Sequence, residues 1–196
     1  MNLSQPFAAA LIAGGKSRRM GGVDKALLEF GETGEPLWRI QLGKLVALEP
    51  AQLLISGRND LEFEGAEWVP DAVENAGPLA GIAACLESST QPLLLCLAVD
   101  MPSMLSDFLT QHLLARAEPD CGVVPIIDGR WEPFAAVFPT SLASLARERL
   151  AGEDHSLQAF VREAEERGQI QTLQAESQHE PLFRNLNTPE DWAAYR

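Results

Sequence analysis

The first apolar stretch, residues 7–13 (FAAALIA), contains no polar position and runs directly into Gly14-Gly15. A run that short and continuous predicts a strand buried on both faces, as in parallel sheets covered by helices. Over 36–48 the pattern becomes helical: Leu37, Ile40, Leu42, Leu45 and Val46 recur at near-helical spacing, and Pro36 suits the first turn. Short strands are predicted at 52–56 and 67–69, the second stopped by Pro70-Asp71. Residues 77–87 (GPLAGIAACLE) predict a helix begun by Gly-Pro, and 92–99 (PLLLCLAV) form the most hydrophobic run in the chain.

The second half repeats the alternation. A helix is predicted over 107–117 with Ser106 as its N-cap, then a strand over 122–127, the turn Asp128-Gly129 and a returning strand over 131–138. Helices follow at 141–150 and 156–167, ended near Gly152 and Gly168. Thr188-Pro189-Glu190-Asp191 opens a last short helix, with a Thr cap and acids at its positive end. Strands alternating with helices through short connections predict a three-layer α/β/α sandwich with a mostly parallel, Rossmann-like sheet, laid out as one domain over 1–196.

Charge narrows the partners. With 28 acidic and 15 basic residues the net charge is −13, too negative for a nucleic-acid or anionic-membrane surface. Yet Lys16, Arg18, Arg19 and Lys25 fall within ten positions, directly after the first strand. A small anion is the natural partner of such a spot. Cys85, Cys96 and Cys121 lie far apart in apolar surroundings, without a second Cys or His at metal-ligand spacing, and read as reduced core thiols. His112, His155 and His179 share no pattern and receive no role. The first residues lack a basic leader region, and 7–13 is too short for a membrane span of ~20 residues, so a cytoplasmic protein is expected.

The segment 12–25 (IAGGKSRRMGGVDK) holds four glycines and four cations where ligands sit in open α/β sheets, beyond the carboxyl ends of strands. Gly15-Lys16-Ser17 matches the end of a Walker A loop, but the first glycine would be Ala10, inside the strand, and Gly21-Gly22 would interrupt the helix that must follow. The glycine spacing also misses the dinucleotide pattern. The loop predicts nucleoside triphosphate binding by neither standard phosphate loop.

Gly14-Gly15-Lys16-Ser17-Arg18-Arg19-Met20-Gly21, followed by Lys25, resembles the signature of nucleotidyltransferases that activate sugars, isoprenoid precursors and the molybdenum cofactor. Three further stretches resemble the molybdopterin guanylyltransferase family among them: Asp71 with Gly77-Pro78-Leu79-Ala80-Gly81, Val99-Asp100-Met101-Pro102, and Asn185-Leu186-Asn187-Thr188-Pro189-Glu190. The resemblance runs through nearly the whole chain in the family's order.

It implies GMP transfer from GTP to the terminal phosphate of molybdopterin, with release of pyrophosphate. On that resemblance Ile12, Ala13, Gly14 and Gly15 line the nucleotide, while Arg19 and Lys25 hold the triphosphate. Asp71, Gly77, Pro78, Leu79, Ala80 and Gly81 border guanine and ribose. Asp100 ligates Mg²⁺, for which Mn²⁺ can stand in, and Asn185 or Asn187 completes that region. Molybdenum-insertion proteins and molybdoenzyme chaperones are the implied protein partners.

Two departures stand out: Val99 and Met101 flank Asp100 where the family often has Cys and Thr, and 56–59 (SGRN) stands where it tends to place a nucleotide-side Asn, so Ser56 or Asn59 takes that place. Arg130, Trp131, His155 and Arg162 are plausible on the pterin side without being assigned to it. A cytidylyltransferase relative and a non-catalytic nucleotide-binding adaptor are the alternatives. Ala13-Gly14-Gly15 and Gly77 to Gly81 favour guanine over cytosine, and the presence of both Asp100 and Lys25 favours an enzyme over an adaptor.

Overall fold

The computed structural model describes residues 5–14, 24–31, 34–57, 59–73, 76–188 and 191–192. Its strands, in chain order, are β1 (Phe7–Ile12), β2 (Glu29–Phe30), β3 (Glu35–Pro36), β4 (Gln52–Ser56), β5 (Ala66–Val69), β6 (Leu93–Ala98), β7 (Gly122–Ile127), β8 (Arg130–Trp131), β9 (Ala135–Pro139) and β10 (Ile170–Gln174). Among the described residues they form an eight-stranded sheet, ordered β10-β7-β9-β6-β1-β4-β5 with β8 hairpinned onto β7, and a small ribbon of β2 and β3. The β1–β4, β1–β6, β4–β5 and β7–β10 pairs are parallel, and β9 runs antiparallel to β6 and β7. The sheet is therefore mixed but mostly parallel, as the alternation of elements predicts.

The uninterrupted apolar runs are explained by helices on both faces. Along β1, Phe7, Ala9 and Leu11 join the core on one side, while Ala8, Ala10 and Ile12 join the core on the other. β6 divides likewise, with Leu93, Leu95 and Leu97 against Leu94 and Cys96. The first core packs against α1 (Leu37–Val46) and the C-terminal residues Phe183, Leu186 and Trp192. The second packs against α2 (Pro78–Ser88) and, further on, the helices Ala143–Ala151 and Leu157–Glu166. In the last of these, Leu157, Phe160, Val161 and Ala164 are the buried stripe and Ser156 Oγ accepts from Ala159 N at 3.3 Å, a cap worth ~1 kcal/mol.

Three local expectations change. Pro36 pairs in the β2–β3 ribbon and stands at the N-cap, so the helix begins at Leu37. The helix expected over 107–117 is a short α-helical turn, Ser106–Phe108, continued as a π-helix, Leu109–Leu114; Ser106 does not cap it, because Leu105 stands at the N-cap and Ser106 is the first helical residue, its hydroxyl donating to Lys44 O at 3.3 Å. The strand expected over 131–138 is broken into β8 and β9, since Glu132 N turns to Pro125 O (2.8 Å) and Phe134 O accepts from Ala98 N (2.8 Å). Sequence reading missed β10, whose burial alternates weakly because it lies at the sheet edge. Cys85 and Cys96 are buried, with burial pushing the Cys85 thiol up to about 12, whereas Cys121 is only partly buried. No described helix is long and apolar enough to cross a membrane.

The registers Ile12↔Ser56 and Ile12↔Ala98 bring the carboxyl ends of β1, β4 and β6 level with one another. Whatever follows those strands is therefore gathered along one edge.

Candidate active site

Beyond β4 and β5 the backbones close tightly. Ala13 N donates to Ser56 O at 3.3 Å and Gly57 N to Val69 O at 3.1 Å, fixing both sides of the seam. Gly57 has a φ of +84°, and a Cβ there would lie 2.7 Å from the Gly14 Cα. Gly81, at the start of α2, has no room for a side chain because the Ser56 hydroxyl fills that position. Asp71 sits in the middle: its Oδ1 would lie 3.8, 3.3 and 3.2 Å from a Cβ added at Gly14, Gly57 and Gly81. Three glycines thus add no side chain of their own in front of one carboxylate, where the Ser56 hydroxyl is the side-chain neighbour.

Ser56 Oγ donates to Asp71 Oδ1 at 3.4 Å, and Ser56 is fully buried. Burial raises the Asp71 carboxyl above its ordinary range, while the Ser56 hydrogen bond pulls the other way.

A second cluster lies across β1 from the first. Asp24 Oδ1 accepts from Ala26 N at 3.0 Å and so caps a single 3₁₀ turn, Lys25–Leu27, which sets the direction of Lys25. The Lys25 ammonium donates to Asp100 Oδ2 at 3.1 Å and to Asn187 Oδ1 at 2.7 Å. Asp100 follows β6, and its carbonyl accepts from Leu186 N at 2.9 Å, tying the C-terminal segment to the strand. That segment is braced reciprocally: Asp191 Oδ2 accepts from Asn187 N (2.9 Å) and Thr188 N (2.8 Å), and Thr188 Oγ1 accepts from Asp191 N (3.1 Å). Those two backbone donors, from Asn187 first, hold the Asp191 carboxyl below its usual range. Lys25 and Asp100 retain 15% and 24% side-chain exposure, enough to meet a ligand and too little to be freely solvated.

The structure brings together Lys25, Asp100 and Asn187 in one group, and Gly14, Ser56, Asp71 and Gly81 in another. Gly15 and Arg19, with Lys16, Ser17, Arg18 and Met20, lie outside the described residues. Ile12 O and Ala13 N are occupied in the sheet, by Val99 N and Ser56 O, so of the three strand-end residues Gly14 is the exposed one. Leu79 and Ala80 are buried with their side chains in the core, leaving Gly77 and Pro78 as the exposed residues of that motif. Between Ser56 and Asn59, Ser56 touches Asp71 and Asn59 is exposed.

The Arg162 guanidinium lies 5.8 Å from the Trp131 ring centre, and His155 Nε2 lies 3.0 Å from Gly152 O in a surface turn. Asn187 joins the site although its Thr188-Pro189 neighbours would by themselves suffice to open a helix. Both demands are met at once: Thr188 Oγ1 caps the turn at Asp191 N, and the Asp191 carboxylate holds the Asn187 backbone.

The donor set suits a hard cation. Asp100 offers a carboxylate and Asn187 an amide oxygen, and Asn185 Oδ1 is buried without a hydrogen-bond partner among the described residues. Such an orphaned acceptor costs free energy unless something binds it. Among the described residues no group of three or more His, Cys, Asp or Glu forms a closed metal cage. Mg²⁺ does not need one, since it is commonly held by one or two carboxylates together with substrate phosphates.

Residues 9–170 match the family model described as the MobA-like NTP transferase domain. The chain is 34% identical to the molybdenum cofactor guanylyltransferase of Pseudomonas aeruginosa over 206 residues, covering 97% of this chain and 95% of that protein. It is 32% identical to the probable molybdenum cofactor guanylyltransferase of Opitutus terrae over 190 residues, with coverages of 94% and 92%. Its fold superposes on molybdopterin-guanine dinucleotide biosynthesis protein A from Archaeoglobus fulgidus with a TM-score of 0.71 at 21% identity, covering 96% of each chain.

Proposed function

The chain belongs to the family of MobA-like NTP transferase domains, and from that premise we propose that it is a molybdenum cofactor guanylyltransferase, moving GMP from GTP to the terminal phosphate of molybdopterin and releasing pyrophosphate. The observation that carries this reading is the meeting of Lys25, Asp100 and Asn187, from three remote segments, beside the glycine-ringed Asp71 recess. An adaptor that had lost catalysis would have no need to keep a cation and a carboxylate in contact at this edge.

A phosphate monoester has its second pKa near ~6, so the acceptor is largely dianionic at neutral pH and attacks the α-phosphorus without a general base. The chain's task is to hold attacking and leaving oxygens in line and to offset charge. Lys25 meets that need by exchanging Asp100 and Asn187 for phosphate oxygens. Asp100 then has a free carboxylate edge, with the amide oxygens of Asn185 and Asn187 in the same segment as its Leu186 partner. Asp100, with the Asn185 and Asn187 amide oxygens, would hold Mg²⁺, which would supply further neutralisation of phosphate charge. Arg19 and Gly15 enter on sequence grounds alone, as do Mn²⁺ as a substitute ion, a cytoplasmic location, and molybdenum-insertion proteins and molybdoenzyme chaperones as partners.

Guanine presents N1–H and N2–H₂ as neighbouring donors, which one carboxylate accepts in parallel; cytosine presents an amino donor beside acceptors. Asp71, flanked by Gly14, Gly57 and Gly81 and bonded on Oδ1 by the Ser56 hydroxyl, keeps acceptor lone pairs for the guanine pattern. Pyrophosphate release with molybdopterin and each of GTP, CTP and ATP, with and without Mg²⁺, tests the assignment. GTP with Mg²⁺ is expected to turn over, and faster turnover with CTP would overturn it.

Asp71→Asn offers one acceptor and one donor in place of two acceptors. GTP affinity is expected to fall ~10- to 100-fold, about 1–3 kcal/mol, read by thermal shift against GTP concentration. Unchanged GTP affinity would remove Asp71 from base selection. Stability should move the other way: a raised folded-state pKa makes the carboxylate a cost above that pKa, a cost absent below the ordinary value. Asn removes it, and because Asp71 is solvent-accessible the gain in Tm at neutral pH is expected to stay within ~2 °C.

A further inference from the structure

The loop that carries Asp100 is held by other segments more than by itself. Of the five carbonyls from 98 to 102, Ala98 O (3.0 Å) and Met101 O (2.8 Å) accept from Gln41 Nε2, Pro102 O accepts from Lys44 Nζ (2.6 Å), and Asp100 O accepts from Leu186 N (2.9 Å). Gln41 is fully buried on α1, among the inward residues Leu37, Trp38, Leu42 and Leu45. A primary amide in such a place destabilises the fold unless every hydrogen-bonding group is matched. Here it is matched: both amide N–H groups point at carbonyls, and Oε1 accepts from Lys44 Nζ at 2.6 Å. Turned over, the amide would set oxygen against two carbonyl oxygens, so the network admits one orientation.

Lys44, half-buried on the next turn, gives its ammonium to two neutral oxygens, and burial lowers its pKa to about 8. Leucine and methionine at the two positions would pack α1 without desolvating an amide and a cation. A fully satisfied polar network contributes one thing apolar packing does not: a single geometry for the backbone it grips.

We infer that Gln41 and Lys44 are positioning residues for nucleotidyl transfer, holding backbone 98–102 so that the Asp100 carboxylate faces Lys25 and the triphosphate. The inference rests on the reading of Asp100 given above. Neither residue touches the nucleotide, and both act through the path of the loop.

The test compares Lys44→Met, Gln41→Leu and the conservative Lys44→Arg, with Asp100→Asn as control and all rates expressed per folded molecule. Lys44→Met and Gln41→Leu are expected to lose ~10- to 100-fold in kcat, as do residues that orient metal ligands. They should keep the KM for GTP within about threefold, because the Asp71 recess is untouched. Mn²⁺ binding in the presence of GTP, followed by the electron paramagnetic resonance of the ion without acceptor, should weaken by about the same factor, and Lys44→Arg should recover most of both losses. A merely structural role would lower the folded fraction and leave kcat per folded molecule and Mn²⁺ affinity at wild-type values, which overturns the inference. Gln41→Leu strands two buried carbonyls and is the variant at risk of not folding, so Lys44→Met carries the decision. If Asp100→Asn is inactive while Lys44→Met matches wild type, this inference alone fails. If Asp100→Asn turns over normally, the reading of Asp100 fails and takes the inference with it.

Discussion

Asp100→Asn is expected to lower the rate of pyrophosphate release, measured with Mg²⁺ present, by ~10³-fold, about 4 kcal/mol of transition-state stabilisation, in a protein that remains folded. The substitution keeps the size of the side chain and removes only its charge. Asp100 leaves β6 with its own carbonyl bound to Leu186 N and its neighbours' carbonyls bound to Gln41 and Lys44, so the backbone path does not depend on the carboxylate. The Lys25 ammonium loses its charged partner and keeps Asn187. Ion pairs with partial exposure contribute ~1 kcal/mol or less, so Tm is expected to fall by no more than ~3 °C. GTP should still bind through the Asp71 recess. Initial rates of pyrophosphate release, with circular dichroism as the control for folding, decide the matter, and a variant that turns over within tenfold of wild type would remove Asp100 from the reaction.

The second large effect is expected from a single methyl group at Gly57. That residue has a φ of +84°, and a Cβ would stand 2.7 Å from Gly14 Cα and 3.0 Å from Gly14 N. Both neighbours are backbone, so no rotamer change makes room. Neither strand end can withdraw, because Ala13 N is bound to Ser56 O and Gly57 N to Val69 O. Left-handed backbone in a non-glycine residue costs ~1–2 kcal/mol, and forcing an extra carbon into a packed site typically adds ~1–3 kcal/mol. At ~2–4 °C per kcal/mol, Gly57→Ala should melt roughly 5–15 °C below wild type. The methyl group would also lie 3.3 Å from Asp71 Oδ1, at the mouth of the proposed guanine recess. Nucleotide affinity is therefore expected to drop at least tenfold even where the protein is folded, and a variant with wild-type Tm and KM for GTP would show that the seam is looser than its backbone contacts indicate.

Both residues belong to motifs that a reader of the sequence can find, though for different reasons. Asp100 stands out because it follows the most hydrophobic run in the chain, and a strand that apolar must be central, with its carboxyl end at the ligand edge. Gly57 does not stand out. Its neighbours Ser56 and Asn59 compete for the same place in a family pattern, and only the burial of Ser56 against Asp71 separates them. Lys25 was legible as a cation near a phosphate loop, but its partners were not, since Asp100 and Asn187 are separated from it by 75 and 162 residues. The amphipathic helices were read correctly where one face is solvated, as in Leu157–Glu166, and less well over 107–117, where the chain continues in π-helical form.

What the sequence by itself determined is everything that repeats over a few residues: apolar runs long enough for a strand, helical spacing, turn chemistry, and four motifs in a family's order. Those signals are local because backbone geometry repeats locally, and they sufficed for the fold class and for the transfer chemistry the resemblance implied. Only the tertiary structure decided which members of those motifs meet. The level carboxyl ends of β1, β4, β5 and β6 are set by hydrogen-bond register across the sheet, and that register brings Asp100, Asp71 and Gly14 to one edge. The Lys25–Asn187 contact, the glycine ring around Asp71 and the Gln41–Lys44 grip on the loop all arise between elements that no local period relates, because each depends on how one packed layer sits against the next.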